Sequence, residues 1–448
     1  MQNSNKQNSL SPDIDVTAKS RHFIMVTEGL PGPGYHGGAV ACWAVLKSMI
    51  ARGHTATVVG LMSVKNPYDG HRDEQLNFLA DLGVAVKLVD LDLQQETTSN
   101  ESVGSTSRVG QLLNLFDYRS NQRLNKFEGV AKNTIENTRS DGIFCYHFET
   151  VYALGQEKLN APITVCAVDL YHLSPYFRLR EQPFSLKKIT KDMLVQWAFS
   201  RAMKKFMVMI YQRCAVKIEF APHYAAWFRS QRGCEDTLYI PTPVHDPVGT
   251  VWKEVRDARR RKKQIGVPKI LMIGDIGGTA TTSGLRLCRD AVFPALERAL
   301  GPDGFEVHLV GGGTLAPEFE EMGSKPYIKL RGRIMPPDDE FLSSNIVLVP
   351  TPHTLGVRVR IINAFSYGCC VVSHIGNQAG IPEMENGVNS LIGRNGNQLA
   401  EEILRIVRNP GLSETIGNEA RSSFETHFAE NVAGDRVVKL MEQAAVDS

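Results

Sequence analysis

Short apolar runs alternate with helically spaced stretches along most of the chain. The first run, HFIMVTEGL from His22 to Leu30, predicts a strand, and the PGPGYHGG after it can continue neither a strand nor a helix. From Ala39 to Ala51, Cys42, Val45, Leu46, Met49 and Ile50 recur at helical spacing; Gly53 ends that helix, and TATVVGLM supplies the next strand. Leu76, Leu79 and Leu82 repeat the pattern on a helix closed by Gly83, followed by VAVKLVDL, so the N-terminal half predicts a parallel sheet. A polar insertion from Gln94 to Arg108 interrupts it, either a lid or a plain surface loop. Strands resume at GIFCYHF, which carries His147, and at ITVCAVD, which ends at Asp169 and leads to Tyr171 and His172.

The proline-rich IPTPVHDPVG, Ile240 to Gly249, predicts an interdomain connection, with the charged helix KEVRDARRRKK after it. A second alternation follows: KILMIGDIGG, a helix from Leu285 to Leu300, FEVHLVGGGT, YIKLRGRI, NIVLVPTP and CCVVSH. The expected architecture is α/β, two doubly wound Rossmann-like domains facing a central cleft. The expected division is a disordered arm over 1–20, one domain over 21–245, a second over 266–430, and a C-terminal helix over 431–448. That last helix, and the one from Ala400 to Arg408, are the candidates to join the two halves.

A length of 448 residues exceeds the roughly 250–300 at which one core stops growing, which agrees with two domains. Lys plus Arg number 50 against 48 Asp plus Glu, so no global charge calls for nucleic acid as a partner. The eight cysteines form no C-x-x-C pair and lie mostly in apolar surroundings, predicting buried reduced thiols and a cytoplasmic protein. The polar start is not a secretory signal, and no run is apolar enough to span a membrane.

Ligands of open parallel sheets bind beyond the carboxyl ends of the strands, where helix N-termini direct their N–H groups at anions. The candidates there are His36, Gly37 and Gly38 in one half, and Gly311, Gly312, Gly313, Arg333 and Thr351 to Arg360 in the other. Glycine permits close approach of a ligand, although ordinary turns use it as well. In HTLGVRVRIINAFSYGCCVV, Arg358 and Arg360 stand at the positive end of a predicted helix, an unfavourable place for cations unless an anion is held there. They read either as a phosphate clamp or as solvated arginines.

From Arg178 to Lys217, ten Lys or Arg stand against Glu181 and Asp192, interleaved with Phe184, Trp197, Phe199 and Phe206. This is either an ordinary helix with a solvated face or a segment that lies on an anionic membrane at its inner face.

Taken together, the chain resembles the retaining GT-B glycosyltransferases of family 4 over most of residues 22–430. The motifs are the H-G-G-A at His36 to Ala39, LYIPTPV, TTSGLRL, LVGGGT, LRGRI and GVRVRIINAFSYGCCVV, the last similar to the family's G-x-R-x-K-x-x-E-A-x-x-x-G-x-P-V-V. The resemblance implies a UDP- or GDP-linked sugar as donor, a glycan or lipid-linked acceptor, and no cofactor or metal. It places Gly37, Gly38, Gly312 and Gly313 by the donor, with Leu355, Gly356 and Val357 in the donor loop. Arg358 and Arg360 would neutralise the departing diphosphate, Arg333 and Ile334 would sit by the base, and His147 by the reacting sugar. Asp169 and His172 fall on the acceptor side.

Two positions depart from the family. Asn363 stands where a glutamate holds the ribose, and Leu355 where an acidic residue contacts the donor sugar. Asn363 can still accept a hydroxyl hydrogen bond, more weakly than a carboxylate. Besides a transferase, the pattern admits a sugar-nucleotide epimerase, for which no acid/base carboxylates stand out, and a non-catalytic nucleotide-sugar binder.

Overall fold

The computed structural model describes residues 19–33, 37–62, 72–91, 126–167, 170, 173, 186–263 and 267–447. The first half contributes strands β1 (His22–Glu28), β2 (Thr55–Met62), β3 (Ala85–Asp90), β4 (Gly142–Tyr146), β5 (Ile163–Cys166), β6 (Val216–Glu219) and β7 (Leu238–Tyr239). They form one parallel sheet in the order β3-β2-β1-β4-β5-β6-β7. The second half contributes β8 (Lys269–Ile273), β9 (Glu306–Val310), β10 (Ile328–Gly332), β11 (Ile346–Val349), β12 (Val371–His374) and β13 (Leu391–Gly393). These too are parallel, in the order β10-β9-β8-β11-β12-β13. Each sheet reverses its order beside its first strand, between β1 and β4 and between β8 and β11.

Alternate side chains of β1 enter opposite cores. Ile24 and Val26 pack with Phe148, Phe206 and Tyr211, while Phe23 and Met25 pack with Leu46, Met49 and Val438. A parallel strand covered on both faces reads as an unbroken apolar run, which is why the sequence reveals β1, β2 and β8. It does not reveal β6. Lys217 there is buried with its ammonium 2.9 Å from Asp236, and Glu219 is fully buried and accepts the Tyr211 hydroxyl.

The expected helix from Leu285 to Leu300 begins earlier, at Thr279, and passes through a wide turn at Cys288–Val292 before resuming over Phe293–Leu300. That turn receives Gly396, where a Cβ would fall 2.5 Å from that of Ala291. The helix Gly396–Arg408 thereby seats Leu399, Ala400 and Ile403 in the core of the second half and does not bridge the two. In the long helix Leu186–Gln212, Ala202, Met203, Phe206 and Met207 are buried, while Trp197, Arg201, Lys204 and Lys205 face outward. Among the described residues no helix is long and apolar enough to cross a membrane, and all eight cysteines are buried without a disulfide.

The last helix, Asp435–Asp447, returns to the first half, where Val437, Val438 and Met441 join Cys42, Val45 and Met49. Glu442 fixes it. Its carboxylate accepts from Arg52 Nε and Nη2 at 2.9 and 2.8 Å and from His54 Nε2 at 2.6 Å, and the His54 ring is fully buried. The return crosses the interdomain connection through a bidentate Arg421–Asp246 pair at 2.7 Å and a Lys47–Glu430–His245 cluster at 2.9 Å.

Burial raises the pKa of Glu442, but the hydrogen bonds from Arg52 and His54 outweigh it and hold the group below its ordinary 4.5. The unfolded chain therefore takes up this proton first on acidification. The stabilisation is complete above pH 4.5 and is lost as pH falls through the lower folded value. Glu442→Ala strands the buried His54 donor and a half-buried Arg52 guanidinium and is expected to cost about 1–3 kcal/mol at pH 7. The gap between variant and parent should close towards pH 3 in denaturant titrations.

Candidate functional site

The carboxyl ends of the two sheets enclose a cavity of about 580 Å³ with walls from both halves. Gly37 and Val40, on the first turn of the helix Gly37–Ala51, form one wall. The opposite wall consists of the loop after β8 (Gly274, Asp275), the glycines after β9 (Gly311, Gly312, Gly313), the Arg333–Met335 segment after β10, and the start of the helix Val359–Ser366. The two helix starts touch: a Cβ on Gly37 would lie 2.9 Å from Val359 Cγ2. Neither helix has an acidic residue in its first turn. Two positive helix ends thus face one cavity without a protein carboxylate in either first turn to balance them.

Arg358 caps the second of these helices and lines the cavity. Arg360 reaches across to the end of β8, where Nη1 donates to the Ile273 carbonyl at 2.7 Å and approaches Thr281 Oγ1 at 3.4 Å. This path requires glycine at 274, whose Cβ would fall 2.5 Å from Arg360 Nη1 at a backbone φ of 144°. Burial, and then repulsion from Arg358, push the Arg360 guanidinium down to about 10, so it remains a cation at neutral pH in a poorly solvated setting.

The far end of the cavity is apolar, formed by Ile334, Met335, Pro337 and Phe341, with the Phe341 ring stacked on Tyr367 at 4.9 Å. Arg333 is exposed at its lip. Asn363 and Val357 complete the wall, and Asp275 is the acidic group among the lining residues.

Of the remaining expected residues, Gly38 lies on the first helical turn behind Gly37 and does not line the cavity. Leu355 and Gly356 also lie outside the wall, in the loop that leads to Arg358. The Gly356 N–H donates to Tyr224 Oη at 2.7 Å, a bond from one half to the other. His223 Nδ1–H donating to the Ala379 carbonyl at 2.7 Å and Tyr239 Oη donating to Glu383 Oε1 at 2.7 Å reinforce it. His36, Asp169 and His172 fall outside the described residues.

His147 follows β4 and precedes the helix Phe148–Ala153 with φ 74° and ψ 149°; among the described residues it is the non-glycine residue with positive φ. The conformation borders a region nearly reserved for glycine and costs roughly 1–3 kcal/mol. The neighbours enforce it: the His147 N–H donates to the Cys166 carbonyl at 2.8 Å, and its own carbonyl accepts from Thr150 Oγ1 at 2.7 Å. Its Nδ1 is buried without a hydrogen-bond partner among the described residues.

Asp275 and Tyr224 were not among the sequence candidates. The GDIGG after β8 is a visible glycine-rich signal for Asp275. Tyr224 has none, because its partner is 132 residues away in the other half. His147→Gly removes the strained Cβ and the unsatisfied ring together. It should gain about 1 kcal/mol of unfolding free energy after the entropy penalty of glycine is subtracted, measured by urea denaturation.

Residues 267–409 match the family model described as glycosyl transferases group 1. No curated protein matches the chain in sequence. Among solved structures, a sucrose-phosphate synthase from Thermosynechococcus elongatus superposes with a TM-score of 0.64 at 14% identity, covering 96% of this chain and 100% of the other. A glycosyltransferase from Rickettsia africae gives 0.60 at 14% identity over 96% and 100%. HepE of Anabaena, in complex with UDP and glucose, gives 0.58 at 14% identity over 95% and 99%. The fold is therefore GT-B, two Rossmann-like domains about a cleft, and with the family match across residues 267–409 it supports a GT-B glycosyltransferase.

Proposed function

We propose that the protein transfers a sugar, with retention and without a metal ion, from a UDP- or GDP-linked donor to a glycan or lipid-linked acceptor. The observation that carries this reading is the convergence of two helix N-termini and two arginines on one cavity. Arg358 and Arg360 serve the diphosphate, the apolar end about Ile334 and Phe341 serves the base, and Asn363 serves the ribose. The UDP bound by Anabaena HepE supports a uridine donor.

In the step itself the bond between the sugar C1 and the diphosphate oxygen breaks, and the electron pair leaves with the oxygen. Preorganised guanidinium and N–H groups stabilise that charge, the role a divalent cation would otherwise fill. The acceptor hydroxyl attacks C1 from the same face and gives its proton to the departing phosphate. His147 orients the sugar. The outward basic face at Arg201, Lys204 and Lys205, where the Arg201 guanidinium lies 5.1 Å over Trp197, suits an acceptor embedded in anionic lipid.

Arg358→Ala should weaken UDP or GDP binding about 10- to 100-fold in calorimetry with little change in melting temperature. Nucleotide release from a panel of donor sugars tests turnover. Asn363 and Leu355 favour one competing reading, binding without turnover; a parent protein that binds donors but releases no nucleotide with any acceptor would establish it. Lys204→Glu with Lys205→Glu should abolish sedimentation with anionic vesicles, and equal behaviour of the parent with anionic and neutral vesicles would rule out the membrane part.

A further inference from the structure

His147 has a neighbour that the reading above does not use. Glu28 is the last residue of β1, the strand beside which the sheet order reverses. Register pairs run from Phe23 with Gly142 to Val26 with Cys145; Glu28 comes two residues after Val26 at the end of β1, and His147 two residues after Cys145, just past the end of β4. That register carries both residues to the carboxyl edge of the sheet at the switch point, where open α/β sheets bind ligands, although neither lines the cavity that holds the arginines. Glu28 Oε1, like His147 Nδ1, is buried without a hydrogen-bond partner among the described residues.

Two unsatisfied buried polar atoms and a strained backbone thus coincide at one spot. Each is unfavourable, and none is compensated among the described residues. The chemistry of the pair narrows what could. An ionised carboxylate accepts hydrogen bonds and repels anions, so the spot does not extend the phosphate cradle. One carboxylate and one imidazole are too few for a metal ion. An imidazole nitrogen can accept or donate according to tautomer, so adjacent hydroxyls satisfy both groups: one donates to Glu28 and the other pairs with His147.

We propose that Glu28 and His147 form a hydroxyl-binding pair that holds a sugar ring from the N-terminal side of the cleft, with Glu28 as the residue that selects the ring. This rests on the sugar-transfer reading only for which ring is held, that of the donor or that of the acceptor. The interaction is the same for both. Replacing Glu28 should weaken sugar binding without touching the nucleotide, because Glu28 is not among the residues that line the cavity proposed for the diphosphate and base.

The test compares the parent with Glu28→Gln. In one arm, calorimetry measures UDP against UDP-glucose and GDP against GDP-mannose. In the other, saturation-transfer NMR measures methyl glucosides, galactosides and mannosides, with and without UDP. If the donor ring is held, Glu28→Gln loses about tenfold or more for a nucleotide sugar and nothing for the nucleotide. If the acceptor ring is held, nucleotide-sugar binding is unchanged and the loss appears in the glycoside arm. Either result supports the pair. Equal binding by parent and variant in both arms overturns it, as does a parent that binds no sugar in either arm.

A parent that binds glycosides but no nucleotide refutes the donor reading and leaves the pair to be judged on the glycoside arm. Because Oε1 has no hydrogen-bond partner among the described residues, Glu28→Gln should melt no lower than the parent. Should it melt lower, Glu28→Asp, which keeps the charge on a side chain one methylene shorter, is put through both arms and must show the same selective loss.

Discussion

The start of the helix Gly37–Ala51 meets that of the helix Val359–Ser366 so closely that a Cβ on Gly37 would lie 2.9 Å from Val359 Cγ2. Helix N-termini carry partial positive charge, and bringing two of them together beside two guanidinium groups is electrostatically unfavourable in the absence of an anion. The rest of the architecture keeps the arrangement in place. Val40 packs into the core of the second half, and Val357 touches the cores of both. The connection and the returning chain are tied by Arg421 to Asp246 and by Glu430 to Lys47 and His245. Repulsion stored at the centre is opposed by burial and ion pairs at the periphery.

The same division runs through the individual residues. Arg360 gives up hydration to reach the end of β8, His147 holds a backbone suited to glycine, and Glu28 buries an unpaired oxygen. All three lie at the carboxyl ends of strands or reach one. The helices that cover the sheets are packed through apolar side chains and through pairs such as Glu442 with Arg52 and His54, with Trp43 Nε1 and Arg256 Nε as buried donors without a hydrogen-bond partner among the described residues. Strain that gathers on one side of two sheets marks that side as the place where a ligand completes the balance.

Much of this was legible in the sequence because doubly wound sheets write themselves as continuous apolar runs, and because glycines and arginines of the cleft lie in loops whose position the strand order dictates. Gly37, Gly312, Gly313, Arg333, Ile334, Val357, Arg358, Arg360 and Asn363 all reach one cavity for that reason. What escaped depends on pairing between distant elements. β6 hides because Lys217 and Glu219 are buried through partners at Asp236 and Tyr211. Glu28 looks like the polar end of a strand until the register with β4 brings it to the same edge of the sheet as His147. Tyr224 is one aromatic among many until Gly356 arrives.

That last bond links recognition to the relation between the halves. The loop carrying Gly356 leads directly into Arg358, and it is held from the other half by Tyr224, with His223 and Tyr239 gripping neighbouring segments of the second half at Ala379 and Glu383. Burial lowers the pKa of His223 more than its carbonyl partners raise it, so the ring is neutral at physiological pH and its Nδ1 proton is committed to Ala379. These are short-range bonds between otherwise separate domains, and they exist only while the halves are together. An anion that neutralises the facing helix ends relieves the repulsion that works against them. An anion held between the facing helix ends would therefore act in the same direction as these three bonds, since both oppose separation of the two halves at that point.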